Sequence, residues 1–416
     1  MISRWYILPA TLFTRSLAAL GGVLYSVVVA RVGGTEGLGK FTVFISVLGI
    51  LSLFVRRGQD MLLVRAVAGL ETHRDTTHAV VLLKYAVMRT ILPSFVLAFF
   101  GWGVMSSGWL GTPFPGALYA IFPALLLLTA LALVAAYAKG LSRSWIAPLF
   151  EIGGAMLVAA LLLAVWRTGQ KILPLQSVMV SFLLALTLLA LGVLPILRND
   201  LQGVHQLPAL TAQDRKQLCL GQWEFLLIAL SGYVLQAGSF ALAAPFLSPT
   251  ELGLVRAAER LALLVSFSLL VISPIIMPKI VQLTKMGRRH ELRRLMVKSL
   301  VMSSAIGGAA LFPLLLFPEV ALAFMGAEFV TADNYLRAMA VTQFFVAAFG
   351  LFSTVLDMSG HERLTMWVNV GSLALMLGLL PTLCVLFGVD GFVAAYVVVN
   401  ALRSLLYGLS VWYFGL

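Results

Sequence analysis

Arginines set inside apolar stretches are the residues of this chain whose type and position could do chemistry. Arg15 lies in the middle of an apolar span that runs from residue 5 to about residue 31. An arginine at the centre of a membrane helix costs roughly 2.5–3.5 kcal/mol to insert, so such residues usually face a bundle interior or a watery cavity. We expect Arg15 to face a cavity and to bind an anion there. The other residues on its helix face are small: Ala19, Gly22, Ser26 and Ala30. Small faces are also typical of close helix contacts.

A second pair of cations, Arg256 and Arg260, is expected on one face at the start of another helix, because the two lie four positions apart. Their mutual repulsion would be relieved by a bound diphosphate. Glu259 leaves open the alternative of a helix end whose charges are neutralised locally. The preceding span carries a polar set that suits a sugar, an ion or hydrogen bonds between helices: Gln222, Glu224, Tyr233, Gln236 and Ser239.

Carboxylates near apolar spans are the candidates for coupling transport to protons or sodium, because burial raises their pKa towards neutrality. We consider Glu151, Asp60, Glu224 and Asp357. Asp60 follows Arg56 by four residues and is expected to pair with it, whereas Glu151 is expected about two turns inside a helix without a local partner. Arg403 could be structural or functional, and both roles stay open.

Composition identifies an integral membrane protein. Hydrophobic residues make up 61% of the 416 and charged residues 11%, against about 45–50% and about 25% in soluble domains. A net charge of +12 would suggest nucleic acid in a soluble chain. In this chain the positions of the charges matter more, and we expect membrane lipids rather than nucleic acid as partners.

The apolar windows predict an all-α protein with about twelve transmembrane helices, six in each half. The windows are 5–31, 40–63, 82–105, 116–138, 145–167, 172–197, 220–245, 253–281, 295–317, 335–357, 363–388 and 391–414. Two short motifs recur in both halves: Glu36-Gly-Leu-Gly39 matches Thr250-Glu-Leu-Gly253, and Gly140-x-x-Arg143 matches Gly360-x-x-Arg363. We therefore predict an N-terminal bundle over 1–200, a cytoplasmic loop over 201–219 and a C-terminal bundle over 220–416.

Most Lys and Arg residues fall in connections on one side of the predicted helices, which places both termini in the cytoplasm. The basic stretch 279–298 is interpreted as one amphipathic helix at the lipid headgroups, with a direct substrate role as the alternative. The stretch 31–40 is interpreted as a Gly-rich outward turn.

No cofactor or metal is expected. Gly34-x4-Gly39-Lys40 lacks the Ser or Thr of a phosphate-binding loop, and no strand is expected before it. The histidines lie in connections without metal-binding spacing, and the two cysteines, Cys219 and Cys384, fall in different halves.

Several stretches together resemble the polysaccharide-transporter branch of the multidrug/oligosaccharidyl-lipid/polysaccharide exporter superfamily, the O-antigen and other lipid-linked oligosaccharide flippases. They are Ala30-Arg-Val-Gly-Gly-Thr-Glu-Gly-Leu-Gly-Lys-Phe41, Gly58-Gln-Asp60 with Leu63-Val-Arg65, Arg256-Ala-Ala-Glu-Arg-Leu261 running to Pro278-Lys279, Gly360-His-Glu-Arg363, and Gly388-Val-Asp-Gly391-Phe-Val-Ala-Ala395.

The resemblance implies two six-helix bundles in a V, as in MATE transporters, with helices one, two, seven and eight around a cationic cavity. It implies alternating access to a sugar on undecaprenyl diphosphate, moved across the bacterial inner membrane. Arg15, Arg256 and Arg260 would then hold the diphosphate, with Gln236 beside them. The residues expected to steer the substrate at the two mouths are Arg31, Arg56 and Arg57. A polysaccharide polymerase and other assembly proteins would be partners.

Two other functions are considered. A drug/cation antiporter of the same superfamily would need an acidic rather than a basic cavity to attract cationic drugs. A membrane glycosyltransferase or ligase would need catalytic acids or bases on a sizeable outer loop. The short outer connections indicate a transporter rather than an enzyme.

Overall fold

The computed structural model describes residues 7–70, 76–169, 174–201, 211–219, 221–358 and 362–413. Across these residues the regular structure is helical and no strand occurs, which confirms the predicted all-α class. Residues 202–210 of the predicted loop, and Gly360 and His361 of the second Gly-x-x-Arg motif, lie outside the described residues.

The helices follow one another along the chain with short connections. They are α1 (Ile7–Arg56), α2 (Gln59–Ala68), α3 (Thr76–Ser106), α4 (Ala117–Gly140), α5 (Ile152–Gly169), α6 (Gln176–Asp200), α7 (Ala212–Gln217), α8 (Gln222–Tyr233), α9 (Ser239–Ala243), α10 (Pro249–Ala262), α11 (Phe267–Lys285), α12 (Arg289–Leu316), α13 (Pro318–Ala323), α14 (Asp333–Met358) and α15 (Glu362–Tyr413). A π-helical turn at Val234–Gly238 joins α8 to α9.

Eight helical segments of the described chain are long and apolar enough to cross a membrane. Two of them are double, because α1 changes direction at Gly34 and α15 at Gly388, where φ is +64° and +58°. Helix α5 is apolar but shorter than these segments, and the consecutive helices α10 and α11 cover the predicted span 253–281. The chain is thus a multi-pass membrane protein of the all-α class, and its helices are consistent with the predicted count of about twelve crossings.

The chain forms two compact units. Unit 1 comprises Met1–Val28 and Phe44–Leu230, and unit 2 comprises Val29–Val43 and Ser231–Leu416. Each unit thus holds about six of the membrane-length helices, with the end of the first span and the start of the second grouped in unit 2. The predicted borders at 200 and 220 stay predictions.

In unit 1 the helices pack through small residues and a few deep hydrogen bonds. Gly21 of α1 lies so close to Leu157 of α5 that a side chain at that glycine would clash. The Tyr25 hydroxyl donates to the carbonyl oxygen of Val178 in α6 at 2.6 Å. One side of α1 is therefore a close helix contact, adjacent to the face that carries Arg15.

A buried carboxylate braces the other end of unit 1. Asp200, at the end of α6, has a side chain that is 4% exposed. It accepts hydrogen bonds from both terminal nitrogens of Arg143 at 2.9 and 2.7 Å, and from the Tyr137 hydroxyl at 2.7 Å. The hydrogen bond to Asp200 raises the pKa of Arg143. This network ties α6 to α4 and to the connection that follows α4.

In unit 2, α14 is the central helix and packs against α10, α11, α12 and α15. Part of the core lies between α11, α12, α14 and the end of α15. Its most deeply buried side chains include Ile272, Ile280, Val355 and Leu356. Ile272, Ile276 and Ile280 recur every four residues along α11, and this helical spacing places them on one apolar face of the helix.

The stretch 31–40 is a kink and not the predicted ten-residue turn. The helix continues to Gly34 and resumes at Thr35, whose backbone N–H donates to Oε1 of Glu328 at 3.2 Å. Arg31 is exposed, and its Nε donates to the carbonyl oxygen of Phe324 at 3.0 Å. The prediction was wrong because a distant carboxylate supplies the partner for the first free N–H group, which lets the second helix begin at once.

The two matching glycine motifs lie against each other within unit 2. A Cβ atom on Gly39 would overlap the carbonyl oxygen of Pro249, and a Cβ atom on Gly253 would overlap that of Thr35. Only glycine permits such an approach of two helices. The recurrence seen in the sequence is therefore also a reciprocal contact.

The basic stretch 279–298 is not the single amphipathic helix that we predicted. It is the junction of α11 and α12, which are separated by a turn at Met286–Arg288 with Gly287 at φ +67°. Gly287 takes the left-handed conformation that commonly ends a helix. The basic residues consequently lie on the ends of two apolar helices rather than along a surface helix.

Candidate functional site

The candidate site is a cluster of cations on α10 and α15 in unit 2. Helix α10 begins with Ser248 as its N-cap and Pro249 in the first turn. The Ser248 hydroxyl accepts from the N–H of Glu251, and the Glu251 carboxylate accepts from the N–H of Ser248 at 2.7 Å. Arg256 therefore lies two turns inside the helix, and our prediction that the helix starts at Arg256 was wrong.

Arg256 is buried, with 3% of its side chain exposed. Its Nη1 donates to Oε2 of Glu259 at 3.2 Å, and its guanidinium carbon lies 4.8 Å from the centre of the Phe240 ring. A carboxylate and an aromatic face both stabilise a guanidinium away from water. Arg256 is therefore not exposed at a helix end, but its pair with Glu259 is the local neutralisation that the alternative expected, and both roles stay open.

Arg260 and Arg403 have fewer hydrogen-bond partners than Arg256 among the described residues. The Nε of Arg260 lies 4.0 Å from the same Glu259 oxygen, and it is buried without a hydrogen bond to any described residue. The Nε of Arg403 on α15 is also buried without such a partner, although 9% of the residue is exposed. Tyr407 lies within electrostatic range of Arg403 and of Asp357. Both arginines thus retain unused donor capacity.

Tyr396 connects these groups. Its hydroxyl accepts a hydrogen bond from Nε2 of Gln343 at 3.0 Å. It lies within electrostatic range of Arg256, Glu259 and Arg403, and also of Arg260. The cluster around Tyr396 therefore contains three arginines and the carboxylate of Glu259, and Asp357 interacts with Tyr407 next to Arg403.

An excess of buried cations favours binding of an anion. Each guanidinium offers several N–H donors in a fixed plane, which matches the oxygens of a phosphate group. Leaving such donors unpaired in a dry interior is costly, and an anionic ligand would remove that cost. The described residues contain no group of three His, Cys, Asp or Glu side chains that could hold a metal ion.

Gln236 belongs to the π-helical turn between α8 and α9. A π-helical turn inserts one extra residue into a helix and is frequent at functional sites. Gln236 is exposed, and its backbone carbonyl accepts from the Ser239 hydroxyl at 3.0 Å. The sequence placed Gln236 on a membrane span but gave no sign of this turn.

Arg15 of α1 is half-buried in unit 1 and has no ion pair or hydrogen bond to a described residue. Ala19 beside it is also half-buried, whereas Gly22, Ser26 and Ala30 further along are buried. The Ser26 hydroxyl donates to the Gly22 carbonyl of its own helix at 2.8 Å. The role of Arg15 in binding stays a prediction.

Residues 56–60 include the two-residue turn, Arg57 and Gly58, that separates α1 from α2. Nη1 of Arg56 lies 2.9 Å from Oδ2 of Asp60, which confirms the predicted pair. Arg57 adopts a left-handed conformation with φ +46°, and its Nε is buried without a partner among the described residues. Gln59 is 1% exposed, and its amide atoms also lack partners there. The steering role of Arg56 and Arg57 stays a prediction.

Glu151 was placed wrongly. It precedes the first residue of α5, its side chain is 44% exposed, and its Oε1 lies 2.6 Å from Nζ of Lys139. Pro148 supports a short 3₁₀ turn in front of it, which delays the helix.

Glu224 is exposed in the first turn of α8, where an acidic residue stabilises the helix end. Ion coupling through Glu151, Asp60 or Glu224 stays a prediction. Glu151 was expected to be buried inside a helix without a partner, and the structure places it at the surface in an ion pair.

Comparison with known proteins gives the fold a context. No protein-family model and no curated protein sequence matches the chain. Several solved structures do. The lipid II flippase MurJ in an inward closed conformation has a TM-score of 0.71 and 10% identity, covering 98% of this chain and 87% of that one.

Two multidrug transporters are similar as well. An inward-facing MATE family transporter of the MOP superfamily has a TM-score of 0.67 and 14% identity, with 96% of both chains covered. The MATE multidrug transporter DinF-BH has a TM-score of 0.63 and 14% identity, covering 99% of this chain and 96% of that one. The chain therefore has the MATE-like fold that these flippase and drug transporters share.

Proposed function

We propose that this protein is a flippase that moves a polyprenyl-diphosphate-linked oligosaccharide across the bacterial inner membrane by alternating access. The observation that carries the proposal is the cluster around Tyr396, in which the three arginines Arg256, Arg260 and Arg403 outnumber the carboxylates of Glu259 and Asp357. The similarity in fold to a lipid II flippase supports the same class of substrate.

In this proposal the diphosphate is held by arginines and the sugar by polar side chains. Arg256 and Arg260 bind the phosphate oxygens, and Arg403 adds a third cation. Arg15 in unit 1 is a separate candidate for contacting the substrate, and no described residue forms an ion pair with it. Arg31, Arg56 and Arg57 steer the substrate, and exposed Gln236 offers an amide to the sugar. Both termini lie in the cytoplasm, and a polysaccharide polymerase and other assembly proteins use the exported product.

The experiment is a flipping assay with purified protein in liposomes. A fluorescent polyprenyl-diphosphate oligosaccharide is placed in one leaflet, and a membrane-impermeant quencher measures how much has crossed. The double variant Arg256→Gln/Arg260→Gln is expected to slow flipping at least tenfold, because each lost hydrogen bond to a charged group is worth about 1.5–3 kcal/mol. The control variant Arg198→Gln/Arg337→Gln removes two exposed cations and is expected to retain the rate.

Two outcomes would overturn the proposal. Equal flipping by the double variant and the control would remove the cluster from the site. Transport of a cationic dye, with no movement of the lipid, would identify the drug/cation antiporter, which the fold shared with two multidrug transporters favours. A third assay, for sugar transfer by the purified protein, would test the membrane glycosyltransferase.

A further inference from the structure

A groove at the junction of α11 and α12 in unit 2 has no role in the proposed transport site. It encloses about 680 Å³. Its lining contains four cations, one carboxylate and an amide: Lys279, Arg288, Arg294, Lys298, Glu291 and Gln282. This volume falls within the range of about 300–1,000 Å³ that is usual for small-molecule sites.

The positive charge of the groove is only partly neutralised. Nη1 of Arg288 lies 3.2 Å from Oε1 of Glu291, and both side chains are more than half exposed. Lys279, Arg294 and Lys298 have no ion pair with any residue in the described part of the chain. Three of the four cations are consequently available to a ligand.

The rest of the lining is apolar. Leu283, Met286 and Leu295 line the groove, and two of them, Leu283 and Leu295, also pack against the hydrophobic core of unit 2. A ligand that fits must therefore present negative charge to the rim and hydrocarbon to the floor. A free inorganic anion would meet only the first of these conditions.

The position of the groove matches the boundary between water and hydrocarbon. Arg294 and Lys298 lie in the first turns of a candidate membrane span that runs from His290 to Leu316. Basic residues at the end of a membrane helix meet the phosphates of anionic lipids, and each contributes about 1 kcal/mol. We propose that the groove binds the headgroup of an anionic phospholipid, with the phosphate against Lys279, Arg294 and Lys298 and an acyl chain along Leu283 and Leu295.

The test compares lipid binding by two triple variants of the full chain. Lys279→Gln/Arg294→Gln/Lys298→Gln removes the free cations of the groove. Arg198→Gln/Arg215→Gln/Arg293→Gln removes three exposed cations that do not line it. Protein in a neutral detergent is titrated with phosphatidylglycerol or phosphatidylcholine, and bound lipid is counted by native mass spectrometry and by the shift in melting temperature.

Phosphatidylglycerol, but not phosphatidylcholine, is expected to bind and stabilise both the natural protein and the control. The groove variant is expected to bind it roughly a hundredfold more weakly. Equal binding by both variants would overturn the proposal. Displacement of the lipid by inorganic pyrophosphate at equal concentration would reassign the groove to a free anion. Loss of flipping with unchanged lipid binding would reassign it to substrate steering.

Discussion

Unit 1 and unit 2 each bury a carboxylate beside arginine, and the two arrangements differ in the balance of charge. Asp200 in unit 1 accepts three hydrogen bonds, two of them from one arginine. Glu259 in unit 2 accepts one, at 3.2 Å, and lies among three arginines. Asp200 therefore has its hydrogen-bonding capacity filled by neighbouring side chains, whereas the arginines around Glu259 keep N–H donors without an acceptor in the described part of the chain. A buried ion pair stabilises the fold when the donors and acceptors of its charged groups are all used. Where buried cations outnumber buried anions, the unused donors can bind an anionic ligand.

The largest effect on stability is expected from Asp200→Asn. The change leaves Arg143 and Tyr137 without their anionic acceptor, and the free energy of unfolding should fall by about 1–3 kcal/mol. This is less than the roughly 3–5 kcal/mol typical of a fully buried pair, because the Arg143 side chain is 38% exposed. Thermal unfolding in detergent measures the loss, with Asp333→Asn as the control. An unchanged melting temperature would show that the network does not brace unit 1.

Arg15→Gln is expected to reduce flipping at least tenfold and to leave the melting temperature unchanged. No described residue forms an ion pair with Arg15, so its removal breaks no internal contact. The flipping assay is run beside thermal unfolding, and exposed Arg198→Gln serves as the control. Normal flipping would remove Arg15 from the site, and a large fall in melting temperature would place it with the bracing residues.

Glu259→Gln is expected to strengthen binding of the anionic substrate, whereas the loss of an arginine from the cluster is expected to weaken it. Neutralising the one carboxylate near Tyr396 raises the net positive charge, so a polyprenyl diphosphate should bind about tenfold more tightly, as a unit charge at roughly 10 Å in a partly polarisable interior predicts. Equilibrium binding of the fluorescent substrate to purified protein measures the change. Weaker binding would mean that Glu259 positions Arg256 rather than opposing the ligand charge.

The smallest effect is expected from the exposed pair Lys139–Glu151. The double variant Lys139→Gln/Glu151→Gln should change the free energy of unfolding by less than about 0.5 kcal/mol, since both side chains are more than a third exposed. The pH dependence of flipping should also be unchanged. A flattened pH profile would instead identify Glu151 as the group that couples transport to protons.

Hydropathy predicted the helices of this protein well because crossing a bilayer requires about 20 apolar residues wherever the helix lies. The sequence also contains local signals for helix ends. Ser248, Pro249 and Glu251 form a capping motif two turns before Arg256, and Gly287 marks the end of α11. These signals indicate the observed start of α10 and the break between α11 and α12 within 279–298.

Long-range partners could not be predicted in the same way. Arg143 and Asp200 are 57 residues apart, and Thr35 and Glu328 are 293 apart. No periodicity in one sequence indicates which carboxylate meets which arginine at such separations. The sequence therefore indicates which arginines are candidates for the site. Only the structure shows that Arg143 is neutralised by Asp200, while Arg256 shares Glu259 with another arginine.

The contacts of the Gly34 kink impose an order on biosynthesis. The N–H of Thr35 has its partner on Glu328, and Gly39 packs against Pro249. A ribosome that adds about 5–20 residues per second needs roughly 15–60 s to make the intervening chain. During that interval the Gly34 kink stays in the bilayer without Glu328, although α5 and α6, which pack against the first part of α1, have already been made.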